Sequence, residues 1–203
     1  MIFDRYDPSQ IEFAYQVSSV LSLSILTKFY GLELTNEQKD KLVDGLALIG
    51  TQDGGALAGD GSFLPEIPSL VFCLHLLQTE TNRERLAQVV NSLSSVYLMA
   101  IGERIDALSV SSLLCAWSEV GMTSHSLEEG GPFTMLRNLV IEKSSEDAFF
   151  SKGCGTALVN ILKASNEMNI DDSQFLDCIL DGLHDRFADL DIPWATICLK
   201  NMS

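Results

Sequence analysis

The sequence predicts an all-α protein, and three observations carry that expectation. Apolar residues recur at three- and four-residue intervals in segment after segment, and none sustains the strict alternation of a half-buried strand. Helix-start patterns precede several of these segments, as in Thr35-Asn-Glu-Gln38 and Thr81-Asn-Arg-Glu84. The segments also return at regular intervals: the small residues Ser69, Ser112, Thr156 and Thr196 are 43, 44 and 40 residues apart. Such a period belongs to stacked α/α hairpins, each of which buries its apolar face against its neighbours.

Taken in order, Asp7-Pro8-Ser9 starts the first helix, with proline in its first turn. Phe13, Val17, Val20, Leu21, Ser24 and Phe29 supply its apolar, small-residue face as far as Tyr30, and Gly31 ends it. The capping box at Thr35 opens a second helix with Leu42, Leu46 and Ile49 inward. A glycine-rich loop through Gly54, Gly55, Gly59 and Gly61 then leads to a helix over Pro68–Gln78. The box at Thr81 opens the next, carrying Leu86, Val90, Leu93 and Tyr97. A helix over Leu108–Val120 follows, with Val110, Leu113, Leu114 and Trp117 on its inner face and Gly121 as its stop. Thr123–Gly131 reads as a polar loop, Phe133–Glu142 as a short helix and Ser144–Asp147 as a polar break. After Gly153–Gly155, Leu158, Ile161 and Leu162 mark a helix to Met168. Asp171 and Asp172 cap Phe175–Leu190, whose apolar side is Leu176, Ile179, Leu180, Leu183 and Phe187. Asp191-Ile192-Pro193 restarts a ninth helix at Trp194.

These helices sort into two classes. One begins after a Gly/Pro-bearing loop and holds the four small anchors given above. The other begins at an N-cap: Thr35, Thr81 and Asp172 are separated by 46 and 91 residues, and the helix at Phe133 fills the slot between the last two. The expected organisation is a single helical-repeat domain over 1–203, with hairpins at 8–50, 67–100, 107–143 and 146–190 and a terminal helix at 192–203. The terminal helix lacks a second helix to pair with. The expectation is therefore a domain of something longer, an open solenoid, or an arc completed by another chain.

Composition narrows the function. The formal net charge is −15, from 28 acidic and 13 basic residues, and the basic residues form no run. Nucleic acid and anionic membrane surfaces are disfavoured as partners on that balance. The apolar run Leu70–Leu77 falls far short of the roughly 20 residues that span a bilayer, so no membrane insertion is expected. The first residues lack the basic and long apolar regions of a secretory signal, which points to the cytoplasm. Four of the five cysteines lie in apolar helical segments and no CxxC pair occurs, so they read as buried free thiols without a metal or cofactor.

The run TQDGGALAGDGSFLPEIPSLVFCLHLL resembles the Q-x-x-D-G-G-F repeat of the prenyltransferase and terpenoid-cyclase α/α toroids. Gln52, Asp53, Gly54 and Gly55 match its turn, although Gln and Asp stand closer together here and Ala56 takes the place of the aromatic. The resemblance covers this one repeat. It implies a partial α/α toroid and, for an active member, an isoprenoid diphosphate substrate with Mg or Zn. It also implies a catalytic-acid role for Asp189 and Asp191, since FADLDIPWATICL is similar to the D-x-D-D-T-A sequence of class II cyclases. Ile192 and Pro193 stand where the third carboxylate would be. The zinc-binding members use an Asp, a Cys and a His, but Cys73 and His75 are two residues apart and point to different sides of a helix.

A second feature is independent of that resemblance. Asp177, Asp181, Asp185 and Asp189 are spaced by four and form one acidic stripe on a helix. Like charges so placed cost a few tenths of a kcal/mol per pair, so helix stability does not explain the stripe. The stripe reads either as a solvated polar face or as a docking face for a basic partner. His125 and His184 have no Ser, Cys or Asp at a catalytic spacing. Aromatic residues make up 8% of the chain and basic clusters are missing, whereas a diphosphate site needs an aromatic cavity and a metal or basic clamp. The expectation is thus a non-catalytic helical-repeat module that binds a protein or peptide, with a terpenoid-cyclase or prenyltransferase-like domain as the alternative.

Overall fold

A computed structural model describes residues 13–51, 64–123, 131–151 and 153–186. These hold eight α-helices: α1 Phe13–Tyr30, α2 Asn36–Thr51, α3 Ile67–Cys73, α4 Arg83–Ile101, α5 Ala107–Val120, α6 Pro132–Lys143, α7 Gly155–Glu167 and α8 Ser173–Arg186. Short 3-10 turns follow α3 and α4, and no strand occurs among the described residues. The all-α class is therefore what the chain adopts. No helix among the described residues is long and apolar enough to cross a membrane. The ninth helix expected at Trp194, the glycine-rich turn and most of the loop after Thr123 lie outside the described residues.

The chain divides into two compact units, Met1–Ala100 and Ile101–Ser203. In the first, α1 packs on α2 and α3. Val20, Leu42, Val43, Leu46, Leu70, Val71 and Leu74 are buried there. The Thr35 capping box forms both of its bonds: Gln38 N–H donates to Thr35 Oγ1 at 3.3 Å, and Thr35 N–H donates to Gln38 Oε1 at 3.0 Å. The helix expected over Pro68–Gln78 begins at Ile67, and its α-helical part ends at Cys73. It then tightens into the 3-10 turn Leu74–Leu77, a common way to satisfy carbonyls at a helix end.

Two expectations for this unit need correction. The bonds expected of Thr81 and Glu84 run instead between Thr79 and Asn82. Asn82 N–H donates to Thr79 Oγ1 at 3.2 Å, and Thr79 N–H donates to Asn82 Oδ1 at 2.9 Å. Asp40 of α2 is the reason. Its carboxylate accepts from Thr79 Oγ1, Thr81 Oγ1 and Asn82 Nδ2 at 3.1, 3.3 and 2.8 Å, and a charged acceptor outcompetes a neutral cap. The second correction concerns α1, where Val20 and Ser24 face the core but Phe29 is exposed.

In the second unit, Asp106 caps α5 by accepting from Ser109 N–H at 2.8 Å, and Gly121 closes it at φ 77°, a left-handed conformation that favours glycine. The expected inner face is borne out: Val110, Leu113, Leu114 and Trp117 are fully buried. Helix α5 packs on α7 more extensively than any other pair, and α8 packs on both α7 and α6. The turn after α6 is tied to α5 by Ala107 N–H, which donates to the Phe149 carbonyl at 3.1 Å. Each unit thus combines contacts between successive helices, α1 with α2 and α7 with α8, and contacts that skip one, α1 with α3, α5 with α7 and α6 with α8.

Candidate functional site

Helix α8 starts where Asp172 accepts from Phe175 N–H at 2.9 Å. Burial works to raise the Asp172 pKa, but that hydrogen bond and the Arg137 guanidinium, 2.5 Å away, hold it below the ordinary 3.8. Phe175, Ile179 and Leu183 fix the rotation of the helix by turning into the core. The opposite side carries Asp177, Asp181 and Asp185, all exposed, as their four-residue spacing requires. Asp185 lies 3.4 Å from the exposed His184 ring. Asp189, the fourth member of the stripe, lies outside the described residues, as do Asp191, His125, Gln52, Asp53, Gly54 and Gly55.

Tertiary structure adds to this stripe what the sequence did not reveal. A cleft of about 310 Å³ runs along α8, bounded on its other side by the turn that follows α6. Asp181 and Asp185 meet Glu146 and Asp147 there, with Phe150 and Cys178 also in its lining. The turn had read only as a polar break. Its place beside α8 follows from the packing of α6 on α8, which no local pattern in Ser144–Asp147 encodes.

The cleft is built on a close approach. A Cβ at Gly182 would fall 2.4 Å from Phe150 Cε1, so only glycine lets the ring lie against the helix. The ring meets Phe149 edge to face at 4.8 Å, and the Arg186 guanidinium sits 5.3 Å from its centroid. One cation therefore already rests on the aromatic side chain of an otherwise acidic cleft. Lys143, close by in sequence, is held by Glu146 at 3.1 Å and Glu103 at 3.5 Å. The hydrogen bond to Glu146 and the nearby carboxylates push its pKa up. Carboxylates that ring a shallow groove over an aromatic side chain suit a guanidinium or ammonium ligand.

His75 Nδ1 is 2.6 Å from the Phe72 carbonyl, and its ring lies edge-on to Phe72. Among the described residues, no three of His, Cys, Asp and Glu converge as metal ligands would. Of the four described cysteines, Cys154 is buried, whereas Cys73, Cys115 and Cys178 are only partly so, which corrects the expectation of buried thiols, and Cys198 lies outside the described residues. Desolvation pushes the Cys115 thiol up, against a smaller opposing effect from Ser111. In the first unit an open cleft of about 730 Å³ passes His75, Thr81 and Arg83, but Glu80 also lines it and no charge type dominates. No family model matches the chain, and neither a curated protein nor a solved structure matches it.

Proposed function

We propose that this protein is a non-catalytic, cytoplasmic interaction module of stacked helical hairpins that binds a basic segment of a protein partner. The observation that carries the reading is the joining of Asp181 and Asp185 of α8 with Glu146 and Asp147 along one cleft. Asp177 extends the acidic face by a further helical turn. Carboxylates so disposed favour docking more than they favour the fold. The packing of α1 on both α2 and α3, and of α8 on both α6 and α7, supports a stack of helices, an architecture that offers extended binding surfaces. The same reading leaves room for a partner chain that completes the arc.

The test is a titration of the purified chain with a fluorescent peptide rich in Arg and Lys. Replacing Asp177, Asp181 and Asp185 by Asn should weaken binding by about tenfold or more and flatten its salt dependence, because three charges leave the face. Equal binding by the two proteins would sink the proposal. A parallel incubation with farnesyl and geranylgeranyl diphosphate, with and without Mg or Zn, checks the enzymatic alternative. Turnover or stoichiometric retention of an isoprenoid would replace the module reading with that one.

A further inference from the structure

Helix α1 is apolar on two sides, and the fold uses only one of them. Val20 and Ser24 turn inward, with Ser24 Oγ donating to the Val20 carbonyl at 2.8 Å. On the outward side Ile25, Leu26, Phe29 and Tyr30 follow one another at the spacing of a helical stripe. Gly31, at φ 67°, then reverses the chain so that Leu32 N–H reaches the Leu26 carbonyl at 3.2 Å, which keeps Leu32 beside the stripe. These five side chains are 38 to 78% exposed. They are five of the seven large hydrophobic side chains that are exposed among the described residues. Exposed apolar residues scattered singly are ordinary, but a contiguous group of this size marks a contact surface.

We propose that this stripe is a self-association surface, through which two copies of the chain pair about a two-fold axis. Area is the first argument. At these exposures the five side chains offer on the order of 600 Å² per copy, so a pair would bury about 1,200 Å², the lower end of specific interfaces. Charge is the second. The stripe holds no ionised group, so two chains of net charge −15 can meet there without opposing carboxylates. It is bordered by the exposed cation Lys28, whose ammonium sits 5.8 Å from the Phe72 ring centroid, and by the exposed anion Glu33. A two-fold interface sets a patch against itself, so a cation and an anion that border it can each meet the opposite charge of the other copy. The pairing does not rest on the acidic face of α8.

Sedimentation equilibrium of the full chain decides the matter. From about 1 to about 300 µM, a range suited to a small interface, the mass should rise from 22.3 kDa towards twice that value. Raising NaCl from about 0.02 to about 0.3 M should strengthen the dimer, because salt screens the repulsion of two acidic chains. Phe29→Asp should weaken it by about tenfold or more with the helical circular dichroism unchanged, and Phe29→Ser should act in the same direction. Lys28→Glu should also weaken pairing, and Glu33→Lys added to it should restore the loss. A mass of 22.3 kDa throughout overturns the proposal, as does a dimer that Phe29→Asp leaves intact. Failure of the charge exchange to restore pairing overturns the two-fold arrangement.

Discussion

Gly182 and Asp172 show how single residues of α8 set the candidate site. At Gly182 two effects of an alanine oppose each other. Helix propensity would gain about 1 kcal/mol, while forcing the Phe150 ring away from a 2.4 Å approach costs about 1 to 3 kcal/mol. Gly182→Ala should therefore lower the urea midpoint, and it should also move Phe150 within the cleft, which 19F NMR of fluorophenylalanine-labelled protein would report. A raised midpoint would show that the ring yields freely. At Asp172 the cap on α8 is worth about 0.5 to 2 kcal/mol, so Asp172→Ala should destabilise by that amount at neutral pH. The sign of the pH effect follows from a folded pKa held below 3.8. The contribution is fully present above 3.8 and disappears as the pH falls through the lower folded value. The stability gap between parent and variant should accordingly narrow as the pH falls below 3.8, and a gap that stays constant would exclude the carboxylate as its source.

Among the elements, the sequence was most informative where a helix is governed by its own neighbours. The Thr35 box, the left-handed stops at Gly31 and Gly121 and the inner face of α5 all depend on residues within a turn or two. The start of α4 depends on more. Asp40 binds Thr79, Thr81 and Asn82 across 39, 41 and 42 positions of chain, and that long reach hid it. A comparison of two variants makes the difference measurable. Asp40→Ala strands several donors and should cost about 1 to 3 kcal/mol, whereas Glu84→Ala on the exposed surface should stay within about 0.5 kcal/mol. Urea denaturation of both checks this, and a larger loss at Glu84 would restore the box at Thr81. The start of α5 was placed within one residue, but its cap was not named. Its signal, Asp106 followed three residues later by Ser109, was present in the sequence but lacked the Glu or Gln of the usual pattern.

For the molecule as a whole, the net charge of −15 opposes compaction as well as steering partners. Salt should relieve that repulsion, so the midpoint of thermal unfolding should rise between about 0.02 and about 0.3 M NaCl, as calorimetry would show. A fall over that range would indicate that attractive surface pairs such as Arg137 with Asp172 outweigh the excess of carboxylates. The sequence by itself determined the all-α class, most helix boundaries and the outward position of Asp177, Asp181 and Asp185. Helical periodicity, caps and glycine stops act over a few residues, and a four-residue spacing places side chains on one face whatever surrounds them. Only the tertiary structure decided that Glu146 and Asp147 share a cleft with α8, and that α1 keeps an apolar stripe exposed. Both outcomes depend on which helices pack together and which face finds no neighbour, and a pattern read along one helix carries no record of either.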